Sequence, residues 1–228
     1  MIKIKSILRI LNSAIPVLIL IILFTGCQNL QKDKGPQTDP AAKKISERVN
    51  AADFDSTLNG NNTGLYELRN KNGTILKLTN FGASMVQLIH RDKNGEYNDI
   101  ILGYRNVEGY INDQMSLGCI VGRFANRIAG AEFTLNGESY TLAKNDGENC
   151  LHSGPNGIHS VVWDAVVKDS MVSFTYLSPD MEAGFPGEMN IRVSYRLTDQ
   201  DEIIIEYFAS STDSTFVNLT NHTYWNLL

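Results

Sequence analysis

Residues 133–142 read Phe-Thr-Leu-Asn-Gly-Glu-Ser-Tyr-Thr-Leu, and they carry the clearest fold signal in the chain. The four large apolar residues of this stretch alternate with polar ones, which is the pattern of strands that bury one face. Asn136-Gly137 lies between the two halves and tolerates the positive backbone angles of a tight two-residue turn. The stretch therefore predicts a β-hairpin.

The same pattern extends outward from this hairpin in both directions. Asn72-Gly73 and Asn94-Gly95 repeat the turn signal upstream. Strand-like runs follow downstream at residues 161–167, 171–177, 191–197 and 203–207. No segment after residue 65 has sustained helical periodicity. This part of the sequence predicts an all-β domain, either a sandwich or a barrel.

Length and composition restrict the class of protein. The chain has 228 residues, 43% hydrophobic and 20% charged, which fits a globular domain with a real core and excludes wholesale disorder. The formal net charge of -5 argues against nucleic acid as a partner, because phosphate binding needs a basic surface. Three Cys are too few for a disulfide scaffold.

The first residues have the pattern of an export signal. Lys3, Lys5 and Arg9 precede an apolar run that is densest over residues 15–24. That run has the length of a signal-peptide core and is too short and interrupted for a comfortable membrane span of about 20 residues. It ends in Phe24-Thr25-Gly26-Cys27, which resembles the lipobox of bacterial lipoproteins, although Phe24 stands where Leu is usual.

The sequence therefore predicts a signal peptide over residues 1–26 and lipidation of Cys27. The protein would be exported and held on the bacterial cell envelope, at the outer membrane or the periplasmic face, by the lipid anchor alone. An uncleaved anchor and a plain signal peptide are the alternatives. Residues 27–62 are predicted to be the lipidated Cys and a flexible tether, because few large apolar groups offset the entropy of ordering. A short helix is possible over residues 41–49.

Three polar runs are candidates for a ligand site. Residues 118–128 (Gly-Cys-Ile-Val-Gly-Arg-Phe-Ala-Asn-Arg-Ile) place two Arg four positions apart. A buried Arg needs partners, which a hydroxyl-rich ligand can supply, and structural Arg residues bound to loops are the alternative. Residues 149–157 form a Gly/Pro-rich loop that carries His152, either facing a ligand or lying in a surface turn.

The third run, residues 218–226, is dense in Asn, Thr and aromatic side chains and contains His222. So many polar groups are costly to bury unless they are satisfied, which favours a strand that faces a ligand. A polar edge strand is the alternative.

Together these runs resemble the aldose 1-epimerase (galactose mutarotase) family. Residues 122–128 are similar to its Gly-Arg-x-Ala-Asn-Arg-Ile motif, and 149–154 to its Asn-x-Leu-His-Gly-Gly loop with Ser153 in place of Gly. Residues 218–227 resemble its Asn-Leu-Thr-Asn-His-x-Tyr-aromatic-Asn-Leu run, and 184–187 its Gly-Tyr-Pro-Gly turn. All four occur in the family's order.

The resemblance implies an antiparallel β-sandwich of the galactose mutarotase supersandwich type, with residues 63–228 as its amino-terminal portion. It also implies an isomerase that interconverts the α and β anomers of free aldohexoses such as glucose and galactose, without a metal or redox cofactor. A non-catalytic cell-surface sugar-binding module and another sugar epimerase on the same fold remain alternatives, since one fold hosts many chemistries.

Mutarotation opens a cyclic hemiacetal, so one proton must leave the anomeric hydroxyl and another must reach the ring oxygen. The resemblance implies that His222 gives the proton to the ring oxygen and that His152 holds that side of the sugar or a neighbouring hydroxyl. Asn126 and Arg127 would bind further hydroxyls, while Arg123 would support the sheet around them.

Several residues fall outside this assignment. The family's general-base Glu and a sugar-binding Asp follow the His222 motif, and neither can be assigned here, which predicts a truncated or fragmentary chain that lacks the carboxyl-terminal part of the sandwich. His90 and His159 match no motif and are expected at the surface, and no His-x-His pair suggests a metal site. Cys119 and Cys150 are either a disulfide or, as we favour, two free thiols.

Overall fold

The computed structural model of the chain describes residues 3–8 and 39–227. In chain order the strands are β1 (Lys3–Leu8), β2 (Thr57–Leu58), β3 (Asn61–Asn62), β4 (Leu65–Arg69), β5 (Ile75–Thr79), β6 (Ser84–Arg91), β7 (Tyr97–Asp99), β8 (Ile120–Val121), β9 (Arg127–Ile128), β10 (Glu132–Leu135), β11 (Glu138–Thr141), β12 (Cys150–Leu151), β13 (Asp164–Lys168), β14 (Met171–Ser178), β15 (Met189–Leu197), β16 (Glu202–Ser211) and β17 (Thr220–Asn221). The α-helices are α1 (Pro40–Ser46) and α2 (Val107–Ile111). Single turns of 3-10 helix cover Ala51–Phe54, Ala129–Ala131, Ile158–Ser160 and Glu182–Gly184.

Two sheets make up the body of the fold. One has the strand order β1-β16-β15-β14-β13, and the other has the order β4-β5-β6-β7. Every pair in them is antiparallel except β1 with β16, which is parallel. The prediction of an antiparallel all-β fold is therefore confirmed.

The hairpin that opens the sequence argument forms as predicted. Strands β10 and β11 pair with Phe133 opposite Tyr140, and the two rings stack with centroids 5.0 Å apart. Asn136 and Gly137 have φ angles of 53° and 87°, the positive values that a tight two-residue hairpin turn requires. The strand-like runs downstream become β13, β14, β15 and β16.

The main hydrophobic core lies between the two sheets. Alternate residues of each strand point inward, as the two-residue period of a strand requires. The core includes these buried side chains: Leu76, Leu78, Met85, Leu88, Phe174, Ile191, Val193, Tyr195 and Ile205. Each fully buried apolar side chain contributes about 1.5–3 kcal/mol, so this layer supplies much of the driving force for folding.

Residues 39–62 cover the outer face of β5 and β6. Ala42 and Phe54 have no exposed surface, and the buried Lys77 on β5 donates from Nζ to the carbonyl oxygens of Ser46 at 2.6 Å and Val49 at 2.7 Å. A cation at the carboxyl end of a helix satisfies carbonyl groups that have no partner within the helix. These contacts make residues 39–62 part of the folded domain, in contrast to the flexible tether expected over the whole of residues 27–62.

The helix expected within residues 41–49 occurs as α1 and is shorter. Asp39 caps its first turn by accepting a hydrogen bond from the amide of Ala41 at 2.9 Å, and Pro40 occupies the first helical position, where Pro is favoured. The composition of this segment hid its order, because a few buried groups and one buried cation hold it in place.

The remaining terminal predictions lie mostly outside the described residues. Cys27 and all of the signal-peptide segment except β1 belong to that part, so export and lipidation stay predictions. Within residues 3–8 and 39–227, no helix has both the length and the apolar character needed to cross a membrane. Cys119 and Cys150 are both buried as free thiols, the alternative that the sequence favoured.

Candidate functional site

Two very short strand pairs bring the three polar runs together. β8 pairs with β17, with Ile120 opposite Asn221. β9 pairs with β12, with Arg127 opposite Leu151. The first run contributes a strand to both pairs, so it joins the His152 loop to the His222 strand. Gly122 permits the close approach, since a Cβ there would lie 2.4 Å from Leu219 Cδ2.

The polar side chains of the third run satisfy the backbone of the first. The amide of His222 donates to the carbonyl of Cys119 at 2.8 Å, and the His222 carbonyl accepts from the amide of Gly118 at 3.1 Å. Asn221 Nδ2 donates to the Gly118 carbonyl at 2.9 Å, and Asn218 Nδ2 donates to that of Ala125 at 3.1 Å. The run therefore holds His222 at a fixed place instead of forming a free polar edge.

His152 is held by Asn126 in a defined protonation state. The amide of His152 donates to the carbonyl of Asn126 at 3.0 Å, and the amide of Asn126 donates to His152 Nδ1 at 3.0 Å. Both residues have left-handed backbone angles, with φ of 55° and 72°. A ring nitrogen that accepts an N–H carries no proton, so the neutral imidazole bears its proton on Nε2.

Electrostatics favour the same neutral form. Burial is the largest influence and lowers the pKa of His152 to about 4, with smaller contributions from His222, His159 and Arg127. Partial removal from water disfavours the charged form of an imidazole, and nearby positive groups add to that effect. His152 is therefore a neutral hydrogen-bond donor at physiological pH.

The two imidazoles from the second and third runs lie side by side. The rings of His152 and His222 meet edge to face, with centroids 5.0 Å apart and planes 80° apart. The Tyr224 ring lies 5.3 Å from that of His222. Two residues 70 positions apart in sequence are thus neighbours, as a shared ligand site requires.

Arg127 lies beside this pair and is half exposed. Its Nε donates to Asp146 Oδ2 at 2.6 Å, and Nη1 lies 3.4 Å from Asn126 Oδ1. The same Asn126 oxygen accepts from the amide of Arg127 at 2.9 Å. Sequence reasoning missed Asp146, and no pattern identifies it, because it lies in a polar loop and contacts Arg127 only through the pairing of β9 with β12.

Arg123 differs completely from Arg127. It has no exposed surface, and its guanidinium donates to the Ser178 hydroxyl at 2.8 Å. It also donates to five backbone carbonyls, those of Ser178, Pro179, Phe185, Pro186 and Gly187. The expectation that Arg123 has a supporting role is confirmed, and the Gly-Phe-Pro-Gly turn is one of the segments that it holds.

The two histidines without a motif are partly buried, which corrects the expectation of surface positions. His90 Nδ1 is 3.0 Å from the Thr74 hydroxyl. His159 lies in the 3-10 turn after the His152 loop, and its Nδ1 is buried without a hydrogen-bond partner. Burial lowers the pKa of both. His159 stands seven positions after His152 in a loop rich in Gly and Pro, which is the only sequence signal for its location.

The site contains acid–base and hydrogen-bonding groups suited to a polyhydroxylated ligand. The structure links the four candidate residues from the sequence through a chain of contacts. Arg127 lies against Asn126, Asn126 is hydrogen-bonded to His152, and the His152 ring contacts that of His222. Across the part of the chain that the structure describes, no group of three or more His, Cys, Asp or Glu side chains could hold a metal ion.

Comparisons with known proteins agree with this arrangement. The family model described as aldose 1-epimerase matches residues 64–228. The chain is 43% identical to the galactose mutarotase of Bos taurus over 150 residues, which are 66% of this chain and 44% of that protein. It is 38% identical to the aldose 1-epimerase of Escherichia coli (strain K12) over 164 residues, 72% of this chain and 47% of that protein.

Among solved structures, an aldose epimerase homologue from C. elegans superimposes with a TM-score of 0.70 at 37% identity. The match covers 72% of this chain and 51% of that one. The chain therefore spans about half the length of the relatives that it matches.

Proposed function

The chain belongs to the aldose 1-epimerase family, and on that basis we propose that it binds a free aldohexose beside the His152–His222 pair and interconverts its α and β anomers. The observation that carries the proposal is the edge-to-face contact of these two imidazoles, with ring centroids 5.0 Å apart. They come from separate runs, and His152 is hydrogen-bonded to the backbone of Asn126, which precedes Arg127.

We assign the ring-oxygen proton to His222. Opening the hemiacetal breaks the bond between C1 and the ring oxygen, and that oxygen must gain a proton as the bond breaks. The backbone of His222 is fixed by hydrogen bonds at both its amide and its carbonyl, and its ring packs against those of His152 and Tyr224, which hold it in position for proton transfer. Closure on the other face of C1 returns the proton to the imidazole.

His152 has a different role because it is held in its neutral form. Its Nδ1 is occupied by the Asn126 amide, so only Nε2–H is available to the sugar. With a pKa of about 4, the ring is a neutral donor at working pH and not an acid. It would donate a hydrogen bond to the ring-oxygen side of the sugar or to a neighbouring hydroxyl, and so orient the pyranose against His222.

Arg127 and Asn126 would bind the other hydroxyls. The ion pair with Asp146 uses the Arg127 Nε, and within the described residues Nη2 has no hydrogen-bond partner. A guanidinium whose orientation is fixed by one carboxylate presents its other donors in a constant direction. The base that takes the proton from the anomeric hydroxyl is left unassigned, because the family resemblance places it after the His222 motif.

Polarimetry tests the proposal directly. Fresh α-D-galactose or α-D-glucose should lose optical rotation faster with the chain than in buffer, and His222→Ala should reduce the acceleration at least about 100-fold, the usual contribution of a positioned acid. His90→Ala is the matched control, because His90 contacts Thr74 and not the site. A chain that gives the buffer rate contradicts the catalytic proposal.

Calorimetry then separates the alternative of a sugar-binding module. Heat of binding to galactose without any acceleration, weakened by Arg127→Ala, would support the module. Acceleration that prefers a sugar phosphate would instead favour another epimerase on the same fold.

We also propose that the protein is exported and anchored to the bacterial cell envelope through a lipid on Cys27. The support is the basic start, the apolar run over residues 15–24 and the small residues before Cys27. Metabolic labelling with an alkyne fatty acid should mark the chain, and Cys27→Ser should abolish the label. A labelled Cys27→Ser chain would contradict the assignment.

A further inference from the structure

A cavity of about 350 Å³ borders the His152 loop and has no assigned role. None of Asn126, Arg127 and His222 lines it. Its walls come from the segment that ends α2 and follows it, and from the loop that carries His152. They include Ile111, Gln114, Leu117, His152, Pro155 and His159. The volume falls within the range of small-molecule sites, roughly 300–1,000 Å³.

His159 is the polar group in this wall that lacks a partner. Its Nδ1 is buried without a hydrogen bond, and within the described residues Nε2 has none either. Burial lowers the pKa of His159, so the ring is neutral and has one donor and one acceptor nitrogen. Nδ1 has essentially no accessible surface, so a ligand in the cavity can reach only Nε2. A hydroxyl group pairs with Nε2 in either tautomer because it both donates and accepts.

The charges around the cavity exclude an anionic ligand. No Lys or Arg is present among the described residues that line it, and its one carboxylate, Asp113, is already engaged. Asp113 accepts from the Tyr104 hydroxyl at 3.0 Å and from the amides of Met115 at 2.8 Å and Leu117 at 2.6 Å. A phosphate would meet a negative group and no cation there.

The remaining lining groups suit a sugar ring. Ile111 and Pro155 are exposed apolar side chains, which fit the C–H faces of a pyranose. Gln114 is exposed, and its side chain has no hydrogen-bond partner within the described residues, so both its amide donors and its carbonyl are available. The combination of apolar walls with a few convergent neutral polar groups is typical of specific small-molecule pockets.

We propose that this cavity is a second binding site for a neutral pyranose, anchored by a hydrogen bond to His159 Nε2. The cavity shares His152 with the site beside Arg127 but not Asn126, Arg127 or His222, and the proposal stands whether or not the chain catalyses mutarotation. Its ligand is either a separate monosaccharide or the next residue of an oligosaccharide whose reducing end lies beside His222.

Amide chemical shifts of the full chain test the proposal. The ¹⁵N-labelled protein is titrated with methyl β-D-galactopyranoside, a glycoside that cannot open, so binding is read without turnover. Two sets of saturating shifts are expected, one at Asn126 and Arg127 and the other at Leu117 and Ser160. His159→Phe should weaken the second set at least about ten-fold and leave the first, whereas Arg127→Ala should weaken only the first.

Two further variants keep the test sharp if His159→Phe disturbs folding. His159→Gln retains neutral donors and acceptors and should hold the second affinity within about three-fold. Gln114→Ala, at an exposed position, should weaken the second set about five-fold without touching the interior. Absence of saturating shifts at Leu117 and Ser160, equal affinity in His159→Phe and wild type, or tighter binding of galactose 1-phosphate overturns the proposal.

Titration with a disaccharide distinguishes the two ligands, a separate monosaccharide and an oligosaccharide that spans both sites. If lactose saturates both sets of amides together, at a concentration at least about ten-fold lower than the methyl glycoside needs, one oligosaccharide spans the two sites. If each site fills independently, the cavity takes a separate monosaccharide. A failed polarimetric test leaves these measurements unaffected, so the two proposals fail separately.

Discussion

Arg123 and Arg127 stand four residues apart in one run, yet they belong to two contrasting regions. The region around Arg123 is a buried clamp, in which one guanidinium binds two separate segments through their carbonyl oxygens. The region around Arg127 is an open site held by one ion pair to Asp146. The contrast shows that burial, and not residue type, decides whether an arginine stabilises the fold or faces a ligand.

The acidic residue next to the clamp, Glu182, also has hydrogen-bond partners. Glu182 accepts hydrogen bonds from the Tyr176 hydroxyl at 2.6 Å and from the Ser178 hydroxyl, and Ser178 in turn accepts from Arg123. Every polar group named there has a partner, which is the condition for a buried network to stabilise a structure. The open site leaves donors on Arg127 and His152 available instead.

The largest expected effect is the loss of stability when the Arg123 guanidinium is removed. Arg123→Met keeps much of the side-chain volume but leaves five carbonyls and one hydroxyl without their donor. The free energy of unfolding should fall by about 3–5 kcal/mol, because several buried acceptors are left unsatisfied at about 1–3 kcal/mol each. Urea denaturation followed by tryptophan fluorescence measures it.

The matched control is the same substitution four residues later. Arg127→Met removes a half-exposed ion pair, so the free energy of unfolding should change by less than about 1 kcal/mol, while affinity for galactose falls. Equal losses of stability in the two variants would contradict the division into clamp and site.

Lys77 is a second buried cation that binds backbone carbonyls, and it extends the comparison with Arg123 to a region outside the site. Lys77→Met removes the donor that binds the carbonyls of Ser46 and Val49. Stability should fall by about 1.5–3 kcal/mol, the usual value for hydrogen bonds to a charged group, and residues 39–62 should become the first segment cut by a protease. Limited proteolysis with mass spectrometry identifies the cut.

Lys144→Met is the control for Lys77, because Lys144 is exposed and its one ion pair among residues 39–227 is with the exposed Glu148. It should leave both stability and the cleavage pattern unchanged. First cleavage elsewhere in Lys77→Met would mean that packing of Ala42 and Phe54 is sufficient to hold the segment.

The smallest expected effect is the change that Arg127 makes in the pKa of His152. The His152 ring should titrate near pH 4 by proton NMR, and Arg127→Met should raise its pKa slightly, since burial and His222 lower it more. Between pH 6.5 and 4 the unfolded chain binds the His152 proton more strongly than the folded chain, so stability should fall as the pH falls through that range. Lys144→Met should leave the midpoint in place, and a lower midpoint in Arg127→Met would be the contrary result.

The sequence predicts those features that rest on local chemistry. Asn136-Gly137 specifies its turn and hence the β10–β11 hairpin, and the alternation in residues 191–207 specifies β15 and β16. Residue chemistry alone leaves open which of Arg123 and Arg127 is buried, because that depends on segments more than 50 positions downstream, and the assignment of Arg123 to a supporting role comes from the family resemblance. The order of residues 39–62 depends likewise on the hydrogen bonds of Lys77. The partial burial of His159 depends on tertiary packing in the same way.

The lengths of the strand pairs have a consequence for sugar binding. β15 and β16 pair over nine residues, whereas β8 with β17 and β9 with β12 pair over two each. A two-residue ladder opens at low cost and without separating the sheets, so local opening concentrates where His152 and His222 meet. A sugar that contacts both imidazoles binds only when both strand pairs are formed. By mass action it therefore lowers the population in which a pair is open. Amide hydrogen exchange slowed by sugar would thus mark the site more strongly than the sandwich that supports it.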